Sequence, residues 1–581
     1  IAGLVGVFVI SNTFAILISQ RTRELALLRA VGAGRGQVLG SVMVEAVLVG
    51  LVAAAIGLVA GVLLAVGVIG ALDAFGADLP TTSVVVRPTT VALAFAVGLL
   101  VTLVAATIPG LRATRVPPLA ALREVAVDRA DASRPRMAAG ILVLVAGAFC
   151  LATAPGSDGG ADDLSIVGMG AALTIIGAIV IGPVLAGRCI RALGIAVRRV
   201  KGLTGRLATE NAARSPKRTS ATASALIIGV ALVGFITVFA ASAKASIQAT
   251  VGSGFTGDFV VQSEGGAFGF SGFPTTVAEA VSGVEGVDVV TPVGFGSLEV
   301  TYADGGDATE FVQSIDPDSL TQVLSPKMAE GDVTDLTDGG VLVDQRRVDD
   351  HDLSIGDAVT VTAPGGEQTD LTVEGISDDP NILGFFAITR STAADLVQQV
   401  LDAQVFGTLD DGADPESTLA AIDEAISATP ALEVLDRDGF TSSIVSDITA
   451  FVNIIYGLLV LSIIIALIGI ANTLSLSINE RVRELGLLRA VGMSRSQLRS
   501  TIRWEAVLIS ILGAIVGLSL GLLLSWAVLT ALEPQGLSSF SVPGGSLVVI
   551  VVLAALLGTL ASVRPARRAA RLEILDAIAT E

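Results

Sequence analysis

Arg21–Leu48 reads RTRELALLRAVGAGRGQVLGSVMVEAVL, and 460 residues later Arg481–Leu508 reads RVRELGLLRAVGMSRSQLRSTIRWEAVL. Sixteen of the 28 aligned positions are identical. In each copy a charged segment follows one long apolar segment and precedes another. A long-range repeat of this kind in an apolar chain indicates a duplicated bundle of membrane helices, with both copies in the same orientation.

Apolar segments long enough to cross a membrane surround both copies. Of the 581 residues, 52% are hydrophobic and 16% are charged, whereas soluble domains carry about 25% charged residues. A membrane helix needs roughly 20 apolar residues. The sequence therefore predicts a polytopic α-helical membrane protein with nine spans and one mixed α/β extracytoplasmic domain. The charge-free segments are Ile1–Ser19, Ala46–Leu72, Pro88–Leu111, Ala138–Ser157, Leu164–Gly187, Thr219–Ala243, Ile448–Asn479, Ala506–Leu532 and Pro534–Val563.

The distribution of charge predicts the orientation of the spans. Alternate connecting segments hold 29 of the 36 Lys and Arg residues, and positively charged loops stay in the cytoplasm. The charged segments that contain the two copies, and the C-terminus, are therefore expected on the cytoplasmic side of the membrane. The net charge of −19 resides mainly in the outer domain, which argues against nucleic-acid binding. The basic segments are 20–45, 112–137, 188–218, 480–505 and 564–581.

The repeat also predicts the domain organisation. The second copy has an upstream span and an outer domain, so the natural protein is expected to continue upstream of Ile1 with equivalents of both. We divide the chain into a first repeat (1–128), a linking pair of spans (129–200), an amphipathic segment with the first span of the second repeat (201–246), an outer domain (247–446) and the remaining second repeat (447–581).

The outer domain carries the signals of mixed α/β structure. Residues 357–376 alternate apolar and polar positions around Pro-Gly-Gly, which predicts a β-hairpin. Ser297–Tyr302 and Glu310–Gln313 flank an Asp-Gly-Gly turn in the same way. Asp414 and Pro415 open an apolar-periodic stretch as N-cap and first residue of a predicted helix.

The repeated string itself predicts a short amphipathic helix at the membrane surface. Gly492 suits the left-handed conformation that ends a helix. Ser494 and Gln497 resemble a capping box that opens the next helix. In copy two the apolar residues at helical spacing are Val482, Leu485, Leu488 and Val491, and in copy one the turn and cap positions hold Gly32, Gly34 and Gln37.

Two interpretations of this helix compete. Its arginines suit lipid headgroups, with Arg481 and Glu484 forming an i,i+3 pair. Alternatively, the helix docks on a cytoplasmic partner. Anchoring in headgroups needs basic residues and apolar spacing, but it does not need the same Arg-Glu-Leu and Leu-Leu-Arg-Ala-Val-Gly strings twice. We therefore favour docking.

The paired strings resemble the FtsX-like permease domain of the MacB and lipoprotein-releasing exporter families. Asn211…Arg214-Ser-Pro216-Lys-Arg218-Thr and the Pro…Arg-Ala-x-Arg tails of both copies resemble the same domain. The outer domain resembles the MacB-type periplasmic core through Val341-Leu-Val and Leu353-Ser-Ile-Gly356-Asp357. The resemblance covers nearly the whole chain except the two linking spans.

The resemblance implies a multi-pass permease subunit in the plasma (inner) membrane of a bacterial cell. The subunit would belong to an ABC-type exporter or mechanotransmission complex that acts on a lipoprotein, lipid or peptide-like substrate. A coupling helix in each copy, at about 20–33 and 480–493, would dock on a cytoplasmic ABC ATPase dimer. Copy one departs from copy two at Gln20, where copy two has Glu480, and at Gly34. The residues carried over are Arg21, Arg23, Glu24, Leu28, Arg29 and Gly32 in copy one and Arg481, Arg483, Glu484, Leu488, Arg489 and Gly492 in copy two.

No catalytic or cofactor site is expected in this sequence. The phosphate-binding string G-x-x-x-x-G-K-[ST] does not occur, so ATPase activity is expected in the partner subunit only. The single histidine, His351, has no companion Cys or His that would make a metal site. Glu45 and Glu505 occupy matching positions, and we expect interfacial carboxylates paired with an arginine such as Arg499, rather than proton relays.

Two other functions remain open. An FtsX-type regulator of a cell-envelope enzyme has the same sequence features, so the identity of an extracytoplasmic partner or substrate is not decided. An ion-coupled secondary transporter needs ionisable groups or broken helices near the middle of the membrane, and none of the nine predicted spans contains a charge.

Overall fold

The chain forms a bundle of long apolar helices joined to one mixed α/β domain. The structure is a computed structural model. It describes residues 6–7, 10–11, 13–15, 17–18, 21–74, 85–114, 134–153, 161–263, 272–302, 305–363, 365–379, 382–396, 400–429, 431–533, 537 and 539–571.

The helices before the α/β domain belong to the first repeat, the linking pair and the start of the second repeat. The isolated described residues between 6 and 18 are also helical. The helices are α1 (Thr22–Ala30), α2 (Arg35–Ala74), α3 (Pro88–Ala113), α4 (Arg134–Thr153), α5 (Ala161–Arg214) and α6 (Pro216–Gly254).

The helices after the α/β domain reproduce the order of the first repeat. α13 corresponds to α1, α14 to α2 and α15 to α3. The helices are α12 (Arg437–Glu480), α13 (Val482–Ala490), α14 (Arg495–Ala531) and α15 (Gly544–Ala570). Thr13, in the first span of copy one, lies against α12, where the Asn472 Nδ2 atom donates to the Thr13 Oγ1 atom at 3.4 Å.

Seven helices among the described residues are long and apolar enough to span a membrane. They correspond to seven of the nine predicted spans and confirm a polytopic helical membrane protein. Ile1–Ser19 lies largely outside the described residues. Ile448–Asn479 lies within α12, where the described apolar part is Ala466–Ile478, so the total of nine stays a prediction.

The predicted start of the last span was wrong. Sequence placed it at Pro534, but α15 begins at Gly544 with Pro543 as its N-cap residue. The described residues just before it run along the far end of α6. The backbone N–H of Ser539 donates to the hydroxyl of Ser246, and that of Ser541 to Ser242. These side-chain acceptors satisfy the backbone without a helix.

Glycine 202 turns the chain back on itself. Its φ of 54° and ψ of −125° interrupt α5, and positive φ is readily available to glycine only. The arm after Gly202 packs antiparallel to the arm before it, with Gly194 against Thr209 and a salt bridge of 3.1 Å between Arg198 and Glu210. We call residues 188–214 the basic hairpin.

The α/β domain is built on a single mixed sheet. The strand order is β11-β1-β10-β3-β4-β9-β6-β8-β5, with β2 beside β10 and β7 beside β3 and β8. The pairs β4–β9 and β6–β8 are parallel. The strands are β1 (Phe259–Ser263), β2 (Phe273–Pro274), β3 (Val287–Thr301), β4 (Asp307–Ile315), β5 (Met328–Glu330), β6 (Gly340–Asp344), β7 (Ala358–Thr362), β8 (Gln368–Ser377), β9 (Phe386–Thr389), β10 (Leu401–Leu409) and β11 (Leu432–Asp436).

Short helices cover the sheet, and the local predictions for this domain are confirmed. Strands β7 and β8 form the predicted hairpin, β3 and β4 flank the Asp-Gly-Gly turn, and the Asp414 carboxylate caps its helix by accepting from the N–H of Ser417. The helices are α7 (Thr276–Ser282), α8 (Pro317–Val323), a 3-10 turn (Val333–Asp335), α9 (Gln345–His351), α10 (Arg390–Leu396) and α11 (Pro415–Ile426).

Two long helices join this domain to the membrane bundle. α6 leads into β1, and α12 starts directly after β11. Phe255 at the end of α6 and Phe440 near the start of α12 pack edge-on against each other, with ring centroids 6.0 Å apart, in the apolar core of the domain. Deeper in the bundle the hydroxyls of Thr237 and Tyr456 lie 2.8 Å apart. The α/β domain is therefore fixed to the bundle at both of its ends.

We expect Gly202→Val to destabilise the protein. A side chain at this positive φ costs about 1–3 kcal/mol, so the melting temperature of the purified chain in detergent should fall. Gly168→Ala is the control, because Gly168 is helical with open space around its Cβ position. An equal effect of the two substitutions would contradict a special role for Gly202.

Candidate functional site: the two surface helices

The two surface helices α1 and α13 have the same geometry. Each has nine residues, and each ends at a glycine with positive φ, 111° at Gly32 and 110° at Gly492. This confirms the predicted left-handed turns. The bundle end that holds α1 and α13 is called the basic end below.

The helix after each surface helix starts differently in the two copies. In copy two the predicted capping box is present, since the Ser494 hydroxyl accepts from the Gln497 N–H and the Gln497 side chain accepts from the Ser494 N–H. In copy one the Gln37 side chain accepts from the N–H of Gly34 at 2.9 Å. Glycine has no hydroxyl for the reciprocal bond, so α2 lacks one of the two capping contacts of α14.

Each surface helix presents an outward face of the same composition. Leu27 and Val31 are 47% and 89% exposed, and Leu487 and Val491 at the matching positions are 50% and 88% exposed. One turn earlier, Glu24 and Glu484 have side chains that are 70% and 66% exposed. We call these sets the outward faces. The sequence analysis did not name Leu27, Val31, Leu487 or Val491 as coupling residues, although the same leucine and valine recur in both copies.

The inward side of each surface helix is held against its own repeat. In copy two Leu485 is buried in a cluster with Ile478, Leu498 and Ile502. In copy one the Arg29 Nη1 atom donates to the carbonyl oxygen of Thr114, at the C-terminal end of α3, at 3.0 Å. A cation there also interacts favourably with the helix dipole. Each surface helix is thereby attached to its bundle and not only tethered by its ends.

The first arginine of the string has different partners in the two copies. Both Arg21 and Arg481 pair with the glutamate three residues later, at 3.3 and 2.8 Å. Arg21 also binds Glu45 at 3.0 Å. The hydrogen bond to Glu24 and, after it, the charge of Glu45 raise the pKa of Arg21. Arg481 instead donates to the Asn211 side chain, on the basic hairpin, at 2.9 Å.

Glu505, the counterpart of Glu45, is buried and binds an arginine that sequence reasoning did not assign to it. Arg218, at the start of α6, lies 3.5 Å from Glu505 and 3.8 Å from Glu480. The expected partner Arg499 instead donates from Nε to the carbonyl oxygen of Arg495. That expectation was wrong because Arg499 was chosen by nearness in sequence, whereas packing of α6 on α14 places Arg218 beside the carboxylate. Glu505 therefore ties α14 to the helix that leads to the α/β domain.

A small cavity lies between α13 and the basic hairpin. Its volume is about 20 Å³, enough for about one water molecule. Its lining is apolar apart from a few groups, among them Asn211, Arg481 and Glu505. Leu488 also lines it, whereas its counterpart Leu28 is 56% exposed. The packing interface between α13 and the rest of the bundle is therefore not completely filled by protein atoms.

The predicted coupling residues divide between the two sides of the surface helices. Glu24, Glu484 and Arg483 are exposed, while Arg481 and Leu488 face the hairpin. The structure gives no description of the Arg23 side chain. The coupling residues of copy one lie on or next to α1 and those of copy two on or next to α13, as the duplicated string predicts.

The single histidine, His351, is partly buried and lies against a core residue of the α/β domain. Its ring stacks on Tyr302 with centroids 3.5 Å apart. Burial, followed by the charge of Glu310, raises the pKa of Tyr302. Within the described ranges, no group of three or more His, Cys, Asp or Glu residues is arranged to hold a metal ion.

Two family models match the chain. The FtsX-like permease C-terminal model matches residues 1–118 and again residues 456–574. The MacB-like periplasmic core domain model matches residues 219–425, between the two FtsX-like parts.

Three relatives illustrate the range of similarity. An ABC transporter permease protein of Mycobacterium tuberculosis is 22% identical over 606 residues, covering all of this chain and 69% of that protein. The macrolide export ATP-binding/permease protein MacB of Vibrio parahaemolyticus is 26% identical, over 63% of this chain and 58% of that protein. MacB of Bordetella avium is 35% identical, over 21% of this chain and 18% of that protein. The chain thus spans only part of each relative.

Two solved structures resemble part of the chain. The periplasmic region of MacB from Actinobacillus actinomycetemcomitans has 13% identity and a TM-score of 0.28, covering 34% of this chain and 97% of that structure. The extracellular domain of the ABC-type transporter YknZ from Gram-positive bacteria has 13% identity and a TM-score of 0.24, covering 31% of this chain and 99% of that structure.

We expect Arg218→Met to destabilise the protein far more than Arg21→Met. Removing one partner of a buried ion pair leaves an uncompensated charge and costs about 3–5 kcal/mol. Arg21 and Glu45 are 47% and 39% exposed, and an exposed pair contributes under about 1 kcal/mol. The measurement is thermal unfolding of each variant in detergent.

The double variant Arg218→Met with Glu505→Met is the matched control. It removes both charges, so most of the lost stability should return. A double variant that is less stable than Arg218→Met alone would show that Arg218 does not act through Glu505.

Proposed function

Because the chain belongs to the MacB-type ABC transporter permease family, with two FtsX-like permease domains and a MacB-like periplasmic core domain, we propose that it is the permease subunit of an ABC-type exporter or mechanotransmission complex. In this proposal α1 and α13 are coupling helices. They dock on a cytoplasmic ABC ATPase dimer, and closure of that dimer moves the α/β domain on the other side of the membrane.

The observation that carries the proposal is that the two outward faces consist of the same residues. Glu, Leu and Val recur at positions 24, 27 and 31 and at 484, 487 and 491, and in both copies the leucine and valine are exposed. Aliphatic side chains beside a charged residue suit a protein interface, whose centre is apolar and whose rim is polar. Two equivalent faces suit a dimeric partner with two equivalent grooves.

A rigid path leads from α13 to the α/β domain. The path is α12, a single helix of 44 residues that runs from β11 to the residue before Arg481. At about 1.5 Å per residue it is about 66 Å long. A displacement of α13 therefore moves the other end of α12, where Phe440 is part of the domain core.

A second path from α13 to the α/β domain runs through the polar contacts and ion pairs at the basic end. Arg481 contacts the hairpin through Asn211, and Arg218 joins Glu480 and Glu505 to the start of α6. α6 in turn leads into β1. A movement of α13 would thus reach both connections of the α/β domain, and the domain would move as one body with the two helices.

The ATPase is proposed to be a separate subunit. The MacB relatives are named as ATP-binding/permease proteins. This sequence contains no phosphate-binding string of the form G-x-x-x-x-G-K-[ST], the loop whose backbone amides hold the phosphates of a nucleotide. The residues described above would transmit the energy of hydrolysis and would not release it.

The outward faces provide a direct test. Leu487→Asp with Val491→Asp, and Leu27→Asp with Val31→Asp, should each lower ATPase stimulation in the reconstituted complex by about tenfold or more, as expected when central apolar contacts are lost. The amount of chain in the membrane should be unchanged, because all four side chains are exposed. The measurement is ATP hydrolysis by the ATPase that copurifies with the tagged chain.

Ser496→Asp is the matched control, since it adds a carboxylate to the exposed start of α14 without touching an outward face. It should leave stimulation unchanged. Unchanged stimulation in both double variants would remove the docking proposal and favour a helix that contacts lipid headgroups.

Orientation is tested with a membrane-impermeant thiol reagent. Gly365 lies in the turn between β7 and β8 with open space around it. In a chain whose native cysteines, Cys150 and Cys189, are replaced by serine, Gly365→Cys should be labelled in intact cells. Ser496→Cys should be labelled only after lysis. The reverse pattern would invert the proposed orientation.

A further inference from the structure

We infer that the exposed side of the basic hairpin, residues 188–214, binds the headgroups of anionic phospholipids at the basic end of the bundle. The hairpin lies outside the residues that either family model matches. Lipid binding by the hairpin does not depend on the proposed docking of an ATPase on α1 and α13.

The basic hairpin carries a positive charge that the protein leaves largely unneutralised. Seven of its residues are basic, and only Glu210 is acidic. Within the described ranges, Arg198 is the one of these seven with an ion-pair partner, Glu210 at 3.1 Å. A surface with this excess of cations attracts an anionic partner. The basic residues are Arg188, Arg191, Arg198, Arg199, Lys201, Arg206 and Arg214.

Large aliphatic side chains are exposed among these cations. Ile195 is 52% exposed, Val200 74% and Leu203 65%. Arg188, Ile195 and Arg199 are separated by seven and then four residues, so they share one side of the first arm, and all three are exposed. Basic residues around exposed aliphatic side chains are typical of a helix that lies in the interface between lipid and water.

The opposite side of the first arm is packed on α14. Ile190 and Val197 are buried in one cluster with Leu508. The exposed side is therefore held in place before any partner binds, which lowers the cost of binding. Leu185, one turn before Arg188, is 47% exposed within the charge-free segment of α5. The exposed side of the hairpin thus continues a lipid-facing side of the span.

The tip of the hairpin lies close to the level of the membrane surface. Lys201 follows Gly187, the last residue of the charge-free segment, by 14 residues, and an arm directed straight out of the membrane would carry it about 21 Å away. The Lys201 Nζ atom nevertheless lies 5.6 Å from the ring centroid of Trp504 on α14. Trp504 comes just before the charge-free segment that starts at Ala506, and tryptophan is enriched at the membrane interface. The arm is therefore inclined, and its exposed side chains lie at headgroup depth.

Anionic lipid fits this surface better than a protein does. Guanidinium groups bind phosphate oxygens through charge-assisted hydrogen bonds, and aliphatic side chains at headgroup depth reach the acyl chains. An ATPase docked on the outward faces would lie beyond the membrane surface, whereas the exposed side of the hairpin continues the lipid-facing side of α5. A second copy of the chain, another protein or a lipid without net charge is the competing occupant.

The test is photo-crosslinking of the full-length protein, purified with any ATPase that accompanies it. A benzophenone amino acid replaces Val200. In vesicles of phosphatidylcholine with about 20% phosphatidylglycerol, phosphatidylglycerol should be enriched about threefold among the lipids crosslinked at position 200, because each cation near the surface favours anionic lipid. Mass spectrometry of the crosslinked peptide identifies the headgroup. Phe149 on α4, which is 67% exposed, is the control position and should report the composition of the vesicle.

Arg188→Gln with Arg191→Gln and Arg199→Gln should abolish the enrichment at position 200. The matched control removes three exposed arginines from the same end of the bundle, on α15, by Arg564→Gln, Arg567→Gln and Arg568→Gln. This control should keep the enrichment.

An equal loss in the two triple variants would show that the net charge of the basic end, and not the hairpin, selects the lipid, and would overturn the inference. Crosslinks from position 200 to the ATPase or to a second copy, without lipid adducts, would also overturn it. So would equal lipid composition at positions 200 and 149, and that comparison requires no arginine substitution.

Discussion

The arrangement of the bundle depends on the close approach of α6 to the glycine side of α14. Within a membrane, helices gain little from leaving lipid, so their association relies on close packing and interhelical hydrogen bonds. Gly517 and Gly521 permit backbone contact with α6, and the Ser525 hydroxyl donates to the carbonyl oxygen of Phe235 at 2.9 Å. This contact brings Arg218 to Glu505 and sets the position from which α6 enters the α/β domain.

Much of the fold could be predicted from the sequence, because its signals are local or repeated. Long apolar runs and turn glycines specify structure locally. The two copies specify that the same local structure occurs twice. The turn at Gly202 was not predicted, since a single glycine within a helical pattern does not reveal which conformation it adopts. The predicted start of the last span was wrong because a charge-free run need not be helical. At its described residues before Gly544 the N–H groups of Ser539 and Ser541 donate to hydroxyls of α6.

The candidate site was predicted less completely than the fold. Its location on two matching helices follows from the repeat, and so do the glycines that end them. The partners of its charged residues do not, because Arg481 and Asn211 are 270 residues apart and no spacing rule connects them. The outward faces were also missed, since the apolar spacing of the string does not by itself show that Val491 is exposed while Leu485 is buried.

The α/β domain enters and leaves the bundle at nearly the same point. The Arg437 guanidinium, at the start of α12, donates to the carbonyl oxygen of Gly252 near the end of α6 at 2.7 Å. Domains with adjacent ends are well suited to insertion into other folds. In evolutionary terms the closeness of these two ends makes the α/β domain suited to act as an exchangeable module, whose size could change while the two helices keep their positions.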